Sequence, residues 1–395
     1  MTGPSGTVEV RPQDYDHLRM VAMPDPFPLV DDLREQCPVF RTDAHEGFWV
    51  VSRYDEIRRL AFDPERFSSA NGVSIPAFEL PWKFLPVECD PPIARDYRKI
   101  LNRRSSPAVV AGFEDVIRAS VVELIEEFAN DGAVDLAHRL FIPAPAVGLA
   151  HFLGLEPDRA RWHGWASRVV GLAPDPASLP EIMAYFDQVY EDRTRAPRDD
   201  LPSDLLVAEV EGGRRLTRAE WLGIVAAMFF GGLETTSNAA SHILWFLHRN
   251  PDIRAAVAAD PDHLPAALEE LLRLTSPAPH HCRTTTGEVE VAGERISAGQ
   301  RVMLWWIAAN RDPREFDEPE RFDPTRPPNQ HVAFGAGVHR CIGLHLARLE
   351  LRVLFEEVLR RMPDFTVDDA RVVQYGGITR GVESLPVTFT PGPRP

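Results

Sequence analysis

Apolar residues recur at three- and four-residue steps along much of the chain, the spacing that lines one face of a helix. Between residues 111 and 130, Phe113, Val116, Ile117, Val121, Leu124, Ile125 and Phe128 keep that rhythm and predict a helix lying on a core. Thr217-Arg218-Ala219-Glu220 has the form of a capping box, and the apolar run behind it predicts a helix reaching about Arg249. It stops there because Asn250-Pro251 resists helical geometry. Another helix is predicted from Leu344 to about Arg361. Strand-like alternation is sparse, at 47–51, 289–291, 301–304 and 385–389. Small sheets therefore accompany a helical body, and Trp305 and Trp306, which extend one strand, are read as core packing.

The chain has 395 residues, 44% of them hydrophobic, enough to bury a large core. Neither a repeat nor a Gly/Ser-rich linker divides it, so a single domain over 16–390 is expected, with flexible tails at 1–15 and 391–395. Acidic residues outnumber basic ones 59 to 43, a formal net charge of -16, and no basic run offers a nucleic-acid surface. The longest apolar stretch, 221–233, ends at Glu234 and is short of the roughly 20 residues a membrane span needs. With no signal-peptide pattern, a cytoplasmic protein is expected. Cys37, Cys89, Cys282 and Cys341 are scattered, which suggests neither a disulfide framework nor a zinc ribbon. Adjacent His280 and His281 do not converge on one ion.

One cysteine has unusual surroundings. The segment Phe334-Gly335-Ala336-Gly337-Val338-His339-Arg340-Cys341-Ile342-Gly343 sets three glycines around Cys341 and then opens a helix. Glycine permits positive φ and close approach of backbone to a flat ligand. A cysteine at a helix start meets N–H groups that favour thiolate. The alternative reading, a buried structural cysteine beside a turn, is the better one for an arbitrary cysteine. This segment, however, resembles the haem-binding signature of cytochrome P450 enzymes, Phe-Gly-x-Gly-x-His-x-Cys-x-Gly, at every defined position. The resemblance implies haem b with Cys341 as axial thiolate, and makes Phe334, Gly335 and His339 cofactor-binding residues.

Within the long helix, Gly231 and Gly232 each cost roughly 1 kcal/mol relative to alanine. Thr235 is placed to bond back to the Gly231 carbonyl. Small residues at a helix–helix contact explain the pair of glycines equally well. Gly231-Gly232-Leu233-Glu234-Thr235-Thr236 is similar to the family's oxygen-binding kink, although alanine is more usual at Gly231. By that resemblance Glu234 and Thr235 are catalytic, ordering dioxygen and water and feeding protons. Glu270-Leu271-Leu272-Arg273 resembles the family's Glu-x-x-Arg motif, and Pro319-Glu320-Arg321-Phe322 resembles the segment whose arginine completes that network. Glu270, Arg273 and Arg321 are thus expected to support the cysteine loop.

Arg98, Arg283 and His339 occupy positions that resemble the partners of the haem propionates, with Ala94 standing where histidine is usual. Loop 71–85, with Phe78, Trp82 and Phe84, resembles the variable wall of the substrate pocket, and Lys83 or Glu79 would select a polar group there. Gly231, His280 and His281 border the same pocket by family position.

The resemblance covers about residues 55–389. It implies a mainly α fold with a small β-rich lobe and haem between two helices. The activity implied is insertion of one atom of dioxygen into a hydrophobic or aromatic small molecule. Electrons would come from a ferredoxin and its NAD(P)H-dependent reductase, with Arg103, Arg104, Arg340 and Arg348 as docking contacts. The alternatives are a peroxide-driven peroxygenase and a non-catalytic haem- or partner-binding protein.

Overall fold

The computed structural model describes residues 10–78, 80–156, 158, 161–162, 164–165, 177 and 179–392. Its axis is the 32-residue helix Arg218–Arg249. The Thr217 hydroxyl accepts from the Glu220 N–H and the Glu220 carboxylate from the Thr217 N–H, so the capping box forms. Asn250 leaves helical geometry at φ -129° ahead of Pro251, and the helix ends there. Buried residues occur all round this helix, as befits one enclosed by others. Ala144–Leu153, Leu264–Thr275 and Leu344–Arg361 pack against it. The helix expected over 111–130 is shorter, Glu114–Glu126, because Gly112 and Phe113 separate it from the short helix Pro107–Ala111.

The largest sheet has five strands in the order Val39–Thr42, Phe48–Val51, Arg301–Leu304, His281–Thr285, Phe67–Ser68. Met303 lies opposite Val50 on one side and Cys282 on the other. Trp305 and Trp306 are buried beside this sheet, and Trp306 opens a short helix instead of prolonging the strand. Smaller ladders join Val289–Val291 to Glu294–Ile296, and Pro386–Thr388 to both Thr366–Val367 and Ala133–Asp135. One apolar cluster surrounds the long helix and another fills the sheet lobe. The architecture is therefore mainly α with a small β-rich lobe.

Residues 1–9 of the tail expected over 1–15, and 393–395 of the one expected over 391–395, lie outside the described residues, but the end of the first is not loose. Tyr15 is fully buried, edge-on to Phe40 at 5.6 Å and Trp305 at 5.2 Å, and its carbonyl accepts from the Thr42 hydroxyl at 2.6 Å. At the other end, residues 391–392 follow no regular element. Among the described residues, no helix is long and apolar enough to cross a membrane.

Candidate active site

The cysteine loop is folded by its own backbone. The Cys341 N–H donates to the Phe334 carbonyl at 2.8 Å, closing a turn over Gly335 and Gly337 at φ +68° and +70°. A Cβ on Gly337 would stand 2.0 Å from the Ala61 carbonyl oxygen, so only glycine fits against the helix Tyr54–Ala61. Gly343 has an ordinary negative φ and caps the helix Leu344–Arg361. Its N–H lies toward the sulfur. Burial pushes the Cys341 thiol up, while the Gly343 N–H and the Arg98, Arg348 and Arg340 guanidinium groups pull it down. Burial outweighs these groups and the thiol stands above its ordinary value, so the helix start that favours thiolate in the sequence is not sufficient by itself.

Beside Cys341 the structure gathers cationic and donor groups. Arg98, from the helix Ile93–Arg104, donates to the Arg340 carbonyl at 2.7 Å. Both ring nitrogens of His339 are buried without a hydrogen-bond partner. Burial and the nearby Arg283, Arg98 and His281 push His339 down to about 3. Burial likewise lowers Arg283 to about 10. His281 accepts from the Trp306 indole N–H at 2.9 Å, and burial beside Arg283 lowers it to about 4. Such a cluster of mutually repelling groups suits an anionic ligand. Buried Ala94 contributes no polar atom to it.

The Glu-x-x-Arg pair is fully buried and bidentate, Arg273 Nε to Glu270 at 2.8 Å and Nη2 at 2.7 Å. Burial works to raise the Glu270 carboxyl, yet Arg273, the Asp323 N–H and Arg326 hold it below its ordinary value. Arg273 also donates to the Asn310 and Pro319 carbonyls. The third arginine is not the expected one. Arg321 points outward to Glu318 and offers only its carbonyl, whereas Arg326 lies 3.3 Å from Glu270 and Asn329 donates to it at 3.0 Å. Asn310 carries the network onward by accepting from the Val332 N–H at 2.7 Å, two residues before Phe334.

In the long helix, the Thr235 hydroxyl donates to the Gly231 carbonyl at 2.6 Å, as its spacing predicts. The two glycines have different reasons. A Cβ on Gly231 would meet nothing within 4 Å, so this position faces open space, while one on Gly232 would crowd Leu149 at 2.9 Å. The helix-contact reading therefore holds for Gly232 alone.

Glu234 is buried and accepts from the Tyr375 hydroxyl at 2.5 Å and the Thr379 hydroxyl at 3.2 Å. Burial pushes it up to about 7, against the pull of Tyr375, Thr379 and Asn238. Tyr375 comes from the strand Val373–Gly376, whose ring lies over Gly381 so closely that any Cβ there would stand about 2.1 Å from it. None of these partners carried a sequence signal.

Phe78, Trp82 and Phe84 gather with Phe230, the residue before Gly231: Trp82 stacks on Phe230 at 6.3 Å and Phe84 meets it edge-on at 6.1 Å. Lys83 donates to the Ala70 carbonyl, and Glu79 lies outside the described residues. The two histidines part company with that wall. His281 belongs with Arg283 and His339, and His280 turns into the sheet lobe, edge-on to His17 at 4.9 Å. Their neighbours therefore favour roles other than a polar substrate contact.

Comparison with known proteins decides the family. Cytochrome P450 130 of Mycobacterium tuberculosis is 36% identical over 375 residues, 90% of this chain and 92% of that protein. The chain belongs to the cytochrome P450 family. The cytochrome P450 family model itself matches residues 179–368. A steroid C26-monooxygenase of the same organism is 35% identical, covering 91% of this chain and 99% of its own. Among solved structures, a post-tailoring hydroxylase involved in himastatin biosynthesis superposes with a TM-score of 0.85 at 34% identity, over 97% of this chain and 100% of the other. The chain has the P450 fold and is a P450 monooxygenase, an oxidoreductase that uses haem with a cysteine thiolate, dioxygen, a redox partner and a small-molecule substrate.

Proposed function

We propose that this P450 hydroxylates a hydrophobic or aromatic small molecule, with haem b held by Cys341 and with electrons from a ferredoxin and its NAD(P)H-dependent reductase in the cytoplasm. The observation that carries the assignment is the half-buried Cys341 flanked by Arg98 and by a His339 whose ring nitrogens are buried without a hydrogen-bond partner. That set fits a metal at sulfur with anionic carboxylates beside it. Arg98, Arg283 and His339 would hold the propionates, and the turn containing Phe334 and Gly335 would contribute to holding the haem beside Cys341.

When bound, the haem iron supplies the activation of dioxygen. The chain's own residues do the rest. Gly231 leaves room on the face of the long helix, and Thr235 stays tied to the Gly231 carbonyl until a second acceptor competes for its hydroxyl. Glu234, close to half-protonated at neutral pH, takes and gives a proton with little driving force either way. Phe78, Trp82, Phe84 and Phe230 give the pocket an apolar wall. The acid beside the alcohol favours this reading over peroxide-driven chemistry because the pair resembles dioxygen-activating machinery, and turnover with hydrogen peroxide compared with reduced ferredoxin tests the choice.

Compounds that shift the haem spectrum to high spin would identify a usable substrate. With one in hand, Thr235→Ala is expected to keep oxygen uptake while losing most product, the balance appearing as hydrogen peroxide. Full coupling in that variant would overturn the assignment of Thr235.

A further inference from the structure

Away from the haem side, three potential metal ligands meet at the edge of the sheet lobe. Asp16 caps the short helix His17–Val21 by accepting from the Leu18 N–H at 3.0 Å. His17 follows it and is fully buried. His45 arrives from the turn between the strands Val39–Thr42 and Phe48–Val51, where His45, Glu46 and Gly47 all have positive φ. Its Nε2 lies 3.2 Å from Asp16 Oδ1, and one donor atom from each of the three residues falls within 4.8 Å of the others.

Two of these distances and one orphan atom suggest more than an Asp–His hydrogen bond. Ligands sharing a tetrahedral ion at about 2.0–2.1 Å stand roughly 3.3 Å apart, close to the Asp16–His45 separation. The His17 Nε2 bonds the Ile75 carbonyl at 2.6 Å. With the proton on Nε2, the free lone pair belongs to Nδ1, which is buried and has no hydrogen-bond partner. A metal-binding histidine is commonly oriented in this way, one nitrogen donating to a carbonyl and the other facing the ion. Arg19, 3.5 Å from the other Asp16 oxygen and largely exposed, is the nearest opposing charge. His280, edge-on to His17, adds a second buried Nδ1 without a partner just behind the group.

We propose that Asp16, His17 and His45 form a site for a borderline transition-metal dication such as Zn2+, with water completing the coordination. The ion would join the N-terminal helix to the strand turn. Through the His17–Ile75 bond it would also stiffen loop 71–85, which carries the aromatic wall.

The test uses untagged holoprotein, with Zn2+ alone as the probe. Isothermal titration and elemental analysis after gel filtration are expected to show one Zn2+ per chain, together with a rise in melting temperature. His45→Ala, whose ring is partly exposed, should weaken binding at least tenfold and remove the thermal shift. Asp16→Asn keeps the helix cap while removing the charge, and should weaken binding likewise. The haem absorption spectrum of each variant reports that the fold is kept. Wild-type protein that takes up no Zn2+, or variants that bind it as tightly as wild type, would overturn the site.

Discussion

At the scale of single residues, the active site is distinguished by groups held away from their ordinary ionisation. Glu234 is the clearest, raised to about 7 because burial outweighs three hydrogen bonds. Its unfolded value is near 4.5. The native state therefore binds more protons than the unfolded chain between about pH 4.5 and 7, and stability falls as pH rises through that window. The full effect is on the order of 3 kcal/mol. Glu234→Gln keeps the shape and cannot ionise, so its stability should decline less than wild type between pH 5 and 8 in urea unfolding of the holoprotein. An unchanged difference between the two pH values would show that Glu234 is not the titrating group. The same position marks a limit of sequence reading. Glu234 is recognisable from its neighbour Thr235, but its raised value comes from burial by the fold, and the Tyr375 hydroxyl that opposes the rise lies 141 residues away, aimed by packing over Gly381.

At the scale of elements, local rules served best where the signal lay within one turn of chain. The capping box at Thr217, the stop at Asn250-Pro251 and the Thr235–Gly231 bond all depend on neighbours no more than four residues apart. The Glu-x-x-Arg pair on the helix Leu264–Thr275 was legible for the same reason. What completes it was not, since the irregular segment after residue 316 chooses its inward side chains by tertiary fit. That segment turns Arg321 out to Glu318 and brings Arg326 in, 10% exposed, beside Glu270. Losing a hydrogen-bonded cation from a buried carboxylate costs about 2 kcal/mol, whereas an exposed pair contributes within roughly 0.5 kcal/mol. Arg326→Gln should accordingly lower stability by about 2 kcal/mol and loosen haem retention, with Arg321→Gln near wild type. Reversal of that order, read by thermal unfolding and haem loss to apomyoglobin, would return Arg321 to the network.

At the scale of the whole molecule, the arrangement of charge matters more than its sum. A net charge of -16 would repel an acidic electron donor unless a local basic face offsets it. Of the four arginines expected to form that face, two are committed elsewhere: Arg104 pairs with Asp199 and Asp204, and Arg348 with Glu269. Arg103 and Arg340 are exposed and make no ion pair among the described residues. Arg340 directly precedes Cys341, and its carbonyl is fixed by Arg98, so a partner seated there would lie against the thiolate side of the site. Composition could not separate these two pairs, because pairing depends on acidic residues brought close only by the fold. Charge reversal at Arg103 and Arg340 is expected to raise the KM for reduced ferredoxin several-fold with kcat little changed. The gap should shrink as salt rises, since exposed charges are screened beyond about 8–10 Å. Reversal at Arg104 or Arg348 should act differently, lowering melting temperature by leaving carboxylates unpaired. Ferredoxin kinetics indifferent to Arg103 and Arg340 at low salt would move the docking surface off this face.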